Sequence, residues 1–163
     1  MSRLSAVLLL GAGVVASALP LGLPPDATFI PPLLMAALVF IFSSLPNPLT
    51  AWISFGVGLA SDVLSAGPLG YWAFVFLLVH TIAVLYASQR GSRGFASYWG
   101  VFAASAVAVS LIGWLVACLY FVGAVDWRPM ANGAIVAVLA FPVLVWPFRE
   151  PLRLTRRAAA AGS

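Results

Sequence analysis

Long apolar runs separated by short polar breaks follow one another along almost the whole sequence, and this spacing limits the possible folds more than any other feature. Backbone placed in hydrocarbon must satisfy its own N–H and C=O groups, so runs of this length become helices. The runs predict an all-α integral membrane protein of one domain, residues 1–163, with six transmembrane helices in one bundle. Their expected extents are about 4–23, 30–45, 49–66, 71–89, 96–124 and 129–147, followed by a solvated tail over 148–163. With 63% apolar and 7% charged residues, the chain lacks the polar surface that a water-soluble domain needs.

The breaks carry the expected turn chemistry. Pro46, Asn47 and Pro48 leave a very short connection, so the second and third helices are antiparallel neighbours. Gly67 and Gly70 bracket Pro68 and stop the third helix, and the next apolar run begins at Tyr71. Pro31 and Pro32 open the second helix, where first-turn amides lack partners anyway. Pro142 inside the sixth run predicts a kink. The first run imitates a signal peptide with Ala16, Ser17 and Ala18, but Leu19 to Leu23 extend it to spanning length and favour a retained helix.

Charge then orients the bundle. A net charge of +4 would suggest nucleic acid in a soluble protein, but here arginines occupy loops and ends. Arg3, Arg90, Arg93, Arg149, Arg153, Arg156 and Arg157 fall on one side, and Arg128 alone on the other. The positive-inside rule therefore places both termini in the cytoplasm. Trp52, Trp99 and Trp146 are expected near the inner interface, and Trp72 and Trp127 near the outer. The basic tail, Arg149, Arg153, Arg156 and Arg157, can also hold anionic lipid or a cytoplasmic partner.

Asp62 stands out as a carboxylate inside an apolar run, near the outward end of its helix. An ionisable residue there marks a functional site by default, and the plainer reading is a carboxylate bonded to the turn that follows it. Beside it Ser54, Gly58, Ser61 and Ser65 repeat at steps of four, three and four, a face narrow enough for close helix approach. Ala106, Ser110, Gly113 and Ala117 repeat the same spacing in the fifth helix. The two faces are expected to pack on each other or to receive a helix from another protein.

Catalytic and metal chemistry find little support. His80, the only histidine, falls near mid-membrane, where a neutral ring bonded to a carbonyl or a serine is favoured over a proton relay. Cys118 lies among Leu115, Val116 and Leu119 and reads as core filler. Nothing in the sequence clusters His, Cys, Asp and Glu as a metal site requires, and there is no nucleophile elbow or phosphate-binding loop. No enzyme, metal or cofactor is expected.

The segment PPLLMAALVF from Pro31, Pro46, and the run GLASDVLSAGPLG from Gly58 to Gly70 resemble the rod shape-determining protein MreD family. The resemblance implies a non-enzymatic subunit of the bacterial cell-elongation complex in the inner (cytoplasmic) membrane. It would bind the single-pass protein MreC and so couple MreB filaments to RodA and the elongation transpeptidase in peptidoglycan synthesis. Asp62, Gly67, Pro68, Leu69 and Gly70 are the positions that carry the family's structural and partner-binding signature. Tyr71 and Trp72 replace the small polar residue common after this run, and no basic residue occupies the turn around Pro46. The family is also similar in helix number to substrate-binding subunits of energy-coupling-factor transporters. A subunit binding a small, vitamin-type solute is therefore the alternative, although Asp62, His80 and a few serines make a thin polar lining.

Overall fold

A computed structural model describes residues 3–18, 30–45, 51–65, 68–88, 94–120 and 122–146. These residues contain six helices: α1 (Arg3–Ala18), α2 (Ile30–Ser43), α3 (Ala51–Ser65), α4 (Tyr71–Ser88), α5 (Phe95–Tyr120) and α6 (Arg128–Val145). Among the described residues there is no strand. The last three helices are long and apolar enough to cross a membrane, and α2 and α3 are shorter apolar helices.

Helix α2 is the axis. It touches α1, α4, α5 and α6, while contacts between α1 and α3, α3 and α4, α4 and α5, and α5 and α6 carry the chain around it. Its sequence has no polar side chain between Ile30 and Phe42, and Leu33, Met35 to Ala37 and Val39 to Ser43 are buried. A helix apolar on every side belongs inside a bundle.

Helices this apolar would gain little from hydrophobicity against equally apolar lipid tails, so close packing and polar pairing matter most. Phe40 of α2 meets Tyr98 and Phe102 of α5 at centroid distances of 5.2 and 5.4 Å, and Phe141 of α6 at 5.9 Å. Phe102 and Phe141 stack at 4.1 Å with 10° between their planes. Aromatic pairs of this kind contribute about 0.5–1.5 kcal/mol each beyond burial. The ring cluster therefore fastens α5 and α6 to the axis.

Three local features add to the sequence reading or depart from it. Helix α5 ends at Tyr120, short of Ala124, because Val122 adopts φ 49° and the Gly123 N–H donates to the Cys118 carbonyl at 3.2 Å. This is a helix-ending loop of Schellman type, with a β-branched residue where glycine is usual. Even so, α5 is about 39 Å long against a hydrocarbon core of about 30 Å.

Trp72 is only 6% exposed and packs against Tyr71 and Phe76, so it is a core residue instead of a member of an outer aromatic belt. Trp52, Trp127 and Trp146 are exposed.

The third feature concerns Pro142. Lacking an N–H, it leaves the Val138 carbonyl without its helical donor. The indole N–H of Trp99 on α5 donates to that carbonyl at 2.9 Å.

Candidate functional site: the carboxylate corner between α3 and α4

The corner follows from one geometric problem, the first turn of α4. Helix starts leave amide groups unpaired, and a side chain at the N-cap position normally accepts from them. Here the residue before α4 is Gly70, which has no side chain and adopts φ 94°. Glycine accepts that backbone without strain, and it leaves the cap to be supplied from elsewhere.

Asp62 supplies it from the neighbouring helix. Its Oδ1 accepts from the Trp72 N–H at 2.8 Å, and its Oδ2 accepts from Gly70 at 2.9 Å and Ala73 at 3.3 Å. The side chain is 1% exposed. Located in the last turn of α3, it faces that helix's negative end, an unfavourable place for a carboxylate, and the positive end of α4 offsets this. Hydrogen bonds to a charged group contribute about 1.5–3 kcal/mol each, so three of them outweigh the few tenths lost to the α3 dipole.

Close backbone approach makes the reach possible. A Cβ at Gly58 would collide with the Ala73 Cα and lie 2.6 Å from both the Ala73 nitrogen and the Trp72 oxygen. The small-residue face of α3 is thus the seat of the first turn of α4. Ser54 is fully buried on it with no bond to its Oγ, and Ser61 turns its hydroxyl back to the Val57 carbonyl at 3.0 Å. Ser65 closes α3, and its side chain lies outside the described residues.

The face on α5 also meets α4. A Cβ at Gly113 would run into the Tyr71 hydroxyl and stand 3.1 Å from Cζ. Ala106 is buried, and Ser110 and Ala117 are half-buried. Gly58 on one face and Gly113 on the other thus both meet the start of α4, where the expectation was that the faces pack on each other or receive a helix from another protein.

The turn itself closes through the Tyr71 N–H to the Pro68 carbonyl at 3.2 Å, and it leaves Leu69 75% exposed. Gly67 and the tail arginines Arg149, Arg153, Arg156 and Arg157 lie outside the described residues.

His80 lies apart from this corner, about 14 Å further along α4 than Tyr71. Its Nδ1 shares a buried hydrogen bond of 2.8 Å with Ser43 Oγ on α2, a serine partner as expected for a neutral ring. The pair ties α4 to the axis. Cys118 is a free, half-buried thiol. Among the described residues no three His, Cys, Asp or Glu side chains come together as a metal site.

What sequence reasoning missed is the pair of indole donors. Trp99 was expected only at an interface, and Trp114 donates to the Val125 carbonyl of the α5–α6 loop at 2.8 Å. A tryptophan placed on α5 beside a proline-bearing α6 was the available signal for the first.

A family model described as rod shape-determining protein MreD matches residues 2–149. No curated protein and no solved structure matches the chain.

Proposed function

Since the chain belongs to the rod shape-determining protein MreD family, we propose that it is a non-catalytic, multi-pass subunit of the cell-elongation complex in the bacterial inner membrane. In this reading both termini are cytoplasmic and the α3–α4 turn faces outward, toward MreC. Binding MreC there helps couple MreB filaments to RodA, the elongation transpeptidase and lateral peptidoglycan synthesis, and so to cell shape.

The observation that carries the reading to particular residues is the fixed turn. A buried carboxylate holds the start of α4, and the turn in front of it presents an exposed leucine. A rigid backbone with one apolar side chain held outward binds with little ordering cost. Asp62 acts in this scheme as a positioning residue and Leu69 as a contact.

Recovery of MreC from solubilised membranes tests it. Wild-type chain should bring down MreC, and Leu69→Asp should reduce recovery about tenfold, the scale of an interface anchor, with expression unchanged. Normal MreC recovery and rod shape with a well-expressed Leu69→Asp chain would remove the turn from the interface. Recovery of a transport ATPase pair in place of MreC would overturn the function and favour the solute-binding alternative.

A further inference from the structure

A second feature lies where α5 faces α6. Between α5 and α6 runs a groove of about 390 Å³, with Leu111, Ala134 and Ile135 among its apolar walls and Trp114 and Trp127 toward the loop end. Ser110 lines it with its Oγ buried, so the surface that the groove offers is almost wholly apolar.

Above the groove stands a pair of opposite charges. Asp126 and Arg128 flank Trp127, both exposed, and an Asp126 oxygen accepts from the Arg128 backbone N–H at 3.0 Å. Arg128 is three residues from Ala131, a groove residue, so the two share a helix face.

These features lie in the order of the parts of a phospholipid. From Arg128 to the level of Ala131 and Ala134 is about 5–9 Å down α6, and Ser110 is about 6 Å below Trp114 on α5. Indole rings settle at headgroup level, so the apolar walls one turn deeper meet acyl chain. Arg128 suits the phosphate as a charge-assisted donor. Asp126 disfavours a purely anionic headgroup and suits a primary ammonium.

We propose that the α5–α6 groove holds one ethanolamine phospholipid of the leaflet on the Arg128 side, with its phosphate at Arg128, its ammonium at Asp126 and an acyl chain along Leu111 and Ile135. The proposal rests on membrane insertion and is independent of the MreC reading, so either can fail without the other.

The test is native mass spectrometry of the full chain released from nanodiscs of equal parts phosphatidylethanolamine, phosphatidylglycerol and phosphatidylcholine. Wild-type chain should retain one phosphatidylethanolamine, enriched about fivefold over its share, the scale of one surface charge contact. Arg128→Ala and Ala131→Phe, the first an exposed substitution and the second filling the groove, should each abolish the enrichment while the helical circular-dichroism signal stays unchanged. Retained lipid that follows the bulk mixture would overturn the proposal, as would preferred phosphatidylglycerol. Enrichment that survives both substitutions would place the lipid elsewhere and overturn it too.

Discussion

The α3–α4 corner and the α5–α6 hairpin solve the same problem with opposite chemistry. Each contains backbone groups left unpaired by a helix or by the turn beside it. At α3–α4 the surplus is of donors, the first amides of α4, and an anionic acceptor on the preceding helix takes three of them. At α5–α6 the surplus is of acceptors, the Val138 and Val125 carbonyls, and neutral indole donors on α5 reach them. In both hairpins a side chain from the preceding helix supplies the missing partner, and the sign of the unpaired group matches the residue type.

The comparison makes effects that differ in size. Removing the acceptor should cost most. Asp62→Ala takes away a side chain only 1% exposed and leaves three amides without their partner. It should lower stability in detergent by about 3–5 kcal/mol, read from thermal or denaturant unfolding. A loss under about 1 kcal/mol would mean that the amides find other acceptors and that the carboxylate is not the cap.

The neutral donors should cost less. Trp99→Phe should destabilise by about 1–2 kcal/mol, and the loss should nearly vanish in a Pro142→Ala background, where the substituted residue's own N–H returns the missing donor to the Val138 carbonyl. A double-mutant cycle measures this coupling directly. Equal losses in both backgrounds would show that Trp99 contributes through packing alone. Trp114→Phe should cost about 1 kcal/mol and speed proteolysis within residues 122–127, because the loop carbonyl loses its anchor.

The smallest change has the opposite sign. Val122 sits at positive φ with 91% of its surface exposed, so Val122→Gly should raise stability by about 0.5 kcal/mol once glycine's greater chain entropy is subtracted. A loss of stability, or a loss of partner recovery at equal stability, would show that the strained valine makes a contact of its own.

The two hairpins were not equally legible in the sequence. Asp62 announced itself because a carboxylate in an apolar run demands a reason, and the glycine and proline after it marked a turn within reach. What could not be read was the direction of its bonds, since those depend on Gly58 letting α4 approach α3 backbone to backbone. Trp99 and Trp114 were harder, because a tryptophan near a helix end already has an interfacial explanation and nothing in the sequence separates the two roles. Trp72 shows the same ambiguity from the other side: placed at an interface by its position, it is buried by contact with Tyr71 and Phe76. The central place of α2 was present in its unbroken apolar sequence, but only the packing distinguishes an axis from another lipid-facing span. Helix count and order came directly from run length and turn residues, and α5 ended early because Val122 turned where its β-branched side chain gave no warning.

Amide hydrogen exchange across residues 68–83, in wild-type chain and in Asp62→Ala, tests the carboxylate cap most directly. The account predicts that Gly70, Trp72 and Ala73 lose protection by at least about tenfold while Val75 to Ala83 keep theirs, since only the first turn depends on the carboxylate. Unchanged protection at those three amides, in a variant that remains folded, would contradict it.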